Sequence, residues 1–152
     1  MKALNSMRIL GIGAVAVALT AGCSASAVRT PTAVVPAAVP AGGTINANLT
    51  DRKIGLDHTT IRAGSVTFVV KNSGAVAHEL VLIRTDVAQD KVAANAEEAG
   101  KVDETGNIGE TGDMDVGSTK SFTVTLPVGN YVLICNEVGH YASGMHAAFT
   151  VN

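Results

Sequence analysis

Four side chains have the types and spacing to hold a soft metal ion. Cys135, His140 and Met145 fall within one segment, Cys135-Asn136-Glu137-Val138-Gly139-His140-Tyr141-Ala142-Ser143-Gly144-Met145, and a second imidazole, His78, lies far upstream. Thiolate, thioether and imidazole donors together suit copper, and two His and one Cys in a plane with a long axial Met mark a mononuclear electron-transfer site. Each residue also has a plainer explanation. Cys135 alone reads as a buried structural thiol, Met145 as core filler, and His140 as a surface residue in a Gly-flanked turn. Those explanations leave the convergence of three donor types on one short segment as coincidence; a metal accounts for it in one step. Zinc competes, but its structural sites are closed sets of Cys and His that do not use Met. A binuclear copper centre needs a second Cys in the segment, and position 139, where it would sit, is Gly.

To bring these donors together the chain needs a rigid frame, and the apolar pattern supplies one of period two. Ser65–Val70, Glu79–Arg84, Lys120–Leu126, Tyr131–Cys135 and His146–Val151 read as strands, with Ile45–Leu49 and Ile54–Ile61 as weaker candidates. Lys71-Asn72-Ser73-Gly74 and Pro127-Val128-Gly129-Asn130 read as turns. Short strands separated by Gly-, Pro- and Asn-rich turns predict an all-β, antiparallel sandwich. His78 then opens a strand just after the Gly74 turn, and the Cys135–Met145 segment is the loop between the last two strands. The Ala-rich, charged stretch Val87–Lys101 is expected to be a short helix, and Thr105–Gly117, with four glycines, a loop.

The ordered set His…Cys-x4-His-x4-Met resembles the cupredoxins, as do the run Ser73-Gly74-Ala75-Val76-Ala77-His78-Glu79-Leu80 and the approach Gly129-Asn130-Tyr131-x-x-x-Cys135. The loop spacing is similar to that of rusticyanin and the sulfocyanins and differs from the shorter plastocyanin and azurin loops. The resemblance covers residues 44–152. It implies a Greek-key sandwich and one copper ion cycling between Cu(I) and Cu(II), held by His78, Cys135, His140 and Met145. One departure stands out: many members carry Asn or Ser directly after the upstream His, where this chain has Glu79. An ionised carboxylate close to the metal would favour Cu(II) and lower the potential. His146, directly after Met145, would point away from the metal in a strand, and His58 reads as a polar strand or turn residue.

The N-terminus carries an address rather than a fold. Lys2 and Arg8 lead an apolar run, Ile9 to Thr20, that ends at small residues before Cys23. That is a secretory signal, too short for a spanning helix, which needs about 20 apolar residues. Leu19-Thr20-Ala21-Gly22-Cys23 resembles the lipobox of bacterial lipoproteins, with Thr20 where Leu is commoner; it implies cleavage after residue 22 and lipid on Cys23. The expected organisation is a signal peptide over 1–22, a lipidated Cys23 with a Pro/Ala-rich linker to residue 43, and a copper-binding domain over 44–152. The linker holds three of the four prolines and cannot bury a core. A thiol left unpaired outside the cytoplasm invites oxidation unless something holds it, a further argument for metal at Cys135.

The formal charge of −2 points away from nucleic acid. The acids are unevenly placed, with nine acidic residues against two lysines between residues 86 and 115. Such a segment can steer a basic redox partner, a cytochrome or an oxidase component, or simply solvate a loop. There is no Ser/His/Asp arrangement, phosphate loop or H-x-H pair, so an enzyme is not expected. The reading is a monomeric electron carrier in the cell envelope, anchored outside the cytoplasm through Cys23. Its rivals are a copper storage, delivery or tolerance module without electron transfer, and a metal-free envelope scaffold.

Overall fold

A computed structural model describes residues 43–152; the expected signal segment, Cys23 and nearly all of the linker lie outside the described residues. Nine strands run in order: β1 (Thr44–Thr50), β2 (Lys53–Leu56), β3 (Thr60–Ile61), β4 (Gly64–Asn72), β5 (Val81–Arg84), β6 (Asn107–Glu110), β7 (Thr119–Leu126), β8 (Gly129–Ile134) and β9 (His146–Val151). They form a four-stranded sheet, β2-β1-β4-β7, and a five-stranded sheet, β3-β9-β8-β5-β6. Alternation sends Ile45, Ala47 and Leu49 of β1 and Val66, Phe68 and Val70 of β4 inward. There they meet Leu82, Tyr131, Leu133, Phe149 and Val151 from the second sheet. Phe68 stacks on Phe122 at 5.1 Å and meets Phe149 edge-on at 5.6 Å, so one ring ties the two layers. The result is an all-β, two-sheet sandwich.

Three details differ from the sequence reading. The sandwich is not wholly antiparallel: β1 pairs with β4, and β3 with β9, in parallel. The cause lies in the stretch 54–61, which is two strands and not one. Asp57 accepts the Asn46 backbone N–H at 3.0 Å and its side-chain amide at 2.7 Å. Beyond that clamp the chain leaves the first sheet, adds β3 to the second, and re-enters beside β1 as β4.

Val87–Lys101 is not a helix, and no helix occurs among the described residues. Val87, Val92 and Ala96 recur at five and four, which does not build a helical stripe. Asn95 instead accepts the N–H groups of Glu97 and Glu98 at 2.8 and 3.0 Å, the local turn that asparagine offers in competition with a helix. The segment lies over the outer face of the second sheet. There Val81, Ile83, Val102, Val132 and Ile134 form a second small core, with Val92 and Tyr141 packed against it. Strands β5 and β8 are therefore buried on both faces, which explains their unbroken apolar runs. Within the expected loop Thr105–Gly117, Asn107–Glu110 forms the edge strand β6, paired with β5.

Candidate metal centre

Strand β4 ends at Asn72, whose side chain organises the turn leading to His78. Asn72 is fully buried; its amide donates to the carbonyls of Val76 and Met114, each at 2.9 Å, and its carbonyl accepts the Gly74 N–H at 2.9 Å. These bonds fold residues 73–77 into a compact turn that delivers His78. His78 then pairs backbone to backbone with Met114, at 3.2 Å and 2.7 Å, and is fully buried. Neither Asn72 nor Met114 stood out in sequence as part of a site. An Asn in a turn and a Met in a Gly-rich stretch are both common, and nothing in their spacing marks them.

Cys135 comes directly after the last residue of β8, and Met145 precedes β9. The Cys135 N–H donates to the Met145 carbonyl at 3.0 Å, closing the loop at its base, and both residues are fully buried. Inside the loop His140 sits on a tight turn. Its carbonyl accepts the N–H groups of Ser143 at 3.1 Å and Met145 at 3.2 Å, and the Ser143 hydroxyl at 2.7 Å. Gly139 and Gly144 bracket this turn at φ of 80° and 108°, values that a side chain disfavours. His140 itself is half-buried.

These elements bring three donor atoms together. Nδ1 of His78 lies 3.1 Å from Nδ1 of His140, and Sγ of Cys135 lies 3.8 Å from the first and 3.4 Å from the second. A point equidistant from all three is about 2 Å from each, the length of a bond from imidazole to a metal. Two imidazole nitrogens and a sulfur converging this closely form the one metal-binding group of His, Cys, Asp and Glu among the described residues. Met145 is tied into the same knot through the carbonyl of His140 and the N–H of Cys135. The donors fit a single type 1 copper ion.

The other histidines stand apart. His146 is paired opposite Ile134 in the β8–β9 ladder, on the side of the second core, with its ring 5.2 Å from that of Tyr141. His58 lies between β2 and β3, outside the cluster.

The electrostatics of the site arise from burial. Burial pushes the Cys135 thiol up to about 11, against the pull of the Glu79 N–H that reaches its sulfur at 3.4 Å. In the metal-free protein the thiol keeps its proton, and metal binding releases it. Glu79 leaves its backbone on the cysteine, while its carboxyl is pushed up to about 7 by burial first and then by Glu104, Glu137 and Asp113, with Lys101 opposing. A different carboxylate touches the site directly. Asp51, in the β1–β2 turn, lies 3.3 Å from Nε2 of His78 and accepts the Ala75 N–H at 2.7 Å. The Ala75 bond, more than the histidine, holds Asp51 below the usual carboxylate range.

Comparison with known proteins agrees with this geometry. The sulfocyanin (SoxE) domain model matches residues 26–152. Auracyanin from the photosynthetic bacterium Roseiflexus castenholzii superposes with a TM-score of 0.57 at 25% identity, over 74% of this chain and 98% of that one. Auracyanin A, described as a "blue" copper protein of Chloroflexus aurantiacus, gives 0.52 at 25% identity, over 74% and 99%. Rusticyanin from Thiobacillus ferrooxidans gives 0.53 at 17% identity, over 74% and 79%, and shares the fold. No curated protein matches the chain significantly.

Proposed function

The chain belongs to the sulfocyanin (SoxE) domain family, and from that premise we propose that it shuttles single electrons between protein partners at the outer face of a membrane. The observation that carries the reading is the triangle of Nδ1, Nδ1 and Sγ, with sides of 3.1, 3.4 and 3.8 Å and two corners fully buried. Copper bound there supplies a one-electron couple, Cu(II)/Cu(I). Everything else is the work of the chain. His78 and His140 present their Nδ1 atoms and Cys135 its sulfur from elements that packing and backbone bonds hold in place, so little needs to move when the charge changes. Met145, fully buried at the end of the same loop, would add a weak fourth donor. The burial of Cys135 and His78 excludes water, and a set of four donors would leave no open position for a substrate.

His140 is the ligand nearest solvent, and its ring edge is the proposed port for electrons. Val76, in the turn that delivers His78, and Val138, two residues before His140, are exposed at 47% and 65% and offer apolar surface on the segments that carry the ligands. Weak redox encounters need only a modest contact area. The acids of 86–115 favour a basic partner such as a cytochrome. Lipid on Cys23 anchors the carrier, with two acyl chains enough for stable retention.

One spectrum tests the centre. The chain carrying Cys23→Ser, loaded with copper, is expected to show an intense visible band that ascorbate bleaches and an oxidant restores. A colourless Cu(I) complex that passes its metal to an acceptor would instead support delivery. The anchor is tested separately: labelled palmitate should enter the exported wild-type protein and not Cys23→Ser.

A further inference from the structure

The geometry points to Asp51 as the residue that orients His78 toward the metal: its carboxylate accepts the Nε2–H of the buried imidazole and so commits Nδ1 to the ion. This rests on the copper reading of the site and adds a positioning residue to it. The upstream histidine has two ring nitrogens, and only one can face Cys135 and His140. Which nitrogen carries the proton is set by the hydrogen bond the other makes. For His78, Nδ1 faces the other two donors and Nε2 faces Asp51 at 3.3 Å. Asp51 is the one hydrogen-bond partner of Nε2 among the described residues.

The fold delivers Asp51 to this place by construction. Parallel pairing of β1 with β4 runs to Leu49 and Asn72, after which the Ser73 N–H bonds the Leu49 carbonyl at 2.8 Å and the Ser73 hydroxyl bonds Asn48 at 2.6 Å. These contacts fix the β1–β2 turn against the turn that carries His78. The Ala75 N–H then fixes the carboxylate, so Oδ1 bridges the backbone of the histidine's own turn and the histidine ring.

Gly74 supplies an independent sign. A Cβ at that position would fall against both the Asp51 carboxylate and Nε2 of His78. Its backbone does not lie in the left-handed region, so conformation does not require glycine there; room for the carboxylate to meet the imidazole does. A carboxylate behind a metal-bound histidine fixes its tautomer and raises its basicity. It also stabilises the more highly charged Cu(II) over Cu(I).

The test compares wild type, Asp51→Ala and Asp51→Asn in the chain carrying Cys23→Ser. In the metal-free protein, nitrogen-15 NMR reads the tautomer: wild type should hold the His78 proton on Nε2, Asp51→Asn should keep it there through the amide oxygen, and Asp51→Ala should give a mixture. With copper added, Asp51→Ala should lose Cu(II) to a chelator about 10–100-fold more readily. Asp51→Asn should retain the metal but, having lost the charge, favour Cu(I) by up to about tenfold, a rise in potential of at most about 59 mV. Matching far-UV circular dichroism of the three metal-free proteins guards against simple unfolding. If Asp51→Ala keeps the wild-type tautomer, metal retention and potential, the positioning role is wrong while the copper centre stands. If wild type itself takes up no copper and shows no colour, the copper reading fails, whatever Asp51 does.

Discussion

Cys135 and Glu79 sit side by side in the site and respond to burial in the same direction with different consequences. The thiol, fully buried, waits in protonated form for a metal. Replacing it with serine removes the only soft anionic donor, so Cys135→Ser should abolish the visible band while far-UV circular dichroism stays unchanged. Glu79 is half-buried among other acids, and its carboxyl titrates at about 7 in the fold against 4.5 when free. An acid whose folded value is raised costs nothing below its unfolded value. The metal-free fold therefore loses stability as pH rises from about 4.5 to about 7 and loses no more above that. Full linkage would be a few kcal/mol, but partial exposure screens it to about 1–2 kcal/mol. Glu79→Gln should remove that slope, leaving metal-free protein at pH 8 more stable than wild type and no different at pH 4, as thermal melts would show.

At the scale of elements, Tyr141 braces the first part of the acidic segment. Its hydroxyl accepts the Val92 N–H and donates to the Gln89 carbonyl, each at 2.9 Å, while its ring covers the second core. Tyr141→Phe keeps the ring and removes both bonds, at a cost of about 1–2 kcal/mol. Faster amide exchange at Val92, with β4 and β7 unaffected, is the expected signature. The same segment shows where the sequence was and was not legible. Strands β4, β7 and β9 alternate one buried face with one wetter face, and that period could be read directly. So could the donor set, because rare residue types fell close together in an interpretable order. The helix expected over Val87–Lys101 failed because alanine content speaks for local propensity alone. The outer faces of Val81, Ile83, Val132 and Ile134 needed covering, and a braced loop covers them. Asp51, Asn72 and Asn136 were missed for another reason. Asn136 is fixed by Val102 on both sides of its amide, at 2.8 and 3.0 Å, and by Glu104 at 2.7 Å. Asn136 meets partners 34 and 32 positions away, Asn72 one 42 away and Asp51 one 27 away, and only the fold brings them within reach.

For the molecule as a whole, charge is distributed unevenly. Of the thirteen acids in the chain, nine belong to residues 86–115, and Glu104 and Asp113 of that group reach electrostatically to Glu79 beside the metal site. On the proposed redox role, the second-order rate with a cationic cytochrome should fall steeply between low and physiological salt, where the screening length shrinks from about 30 to about 8 Å. The rate with a neutral small-molecule oxidant should barely change. Stopped-flow measurements across ionic strength separate the two, and a flat profile for the cytochrome would assign the acids to solubility alone.

Strand β8 stands between β5 and β9 in its sheet and is covered on both faces. Cys135 is thus attached to a run, Tyr131–Ile134, that is buried throughout, and amide exchange along it should proceed only when the entire domain opens. Bleaching of the coloured protein on heating would then track global melting and not an early loosening of one loop. The absorption band becomes a built-in gauge of cooperative unfolding, and its midpoint should coincide with that of the β-sheet signal in circular dichroism.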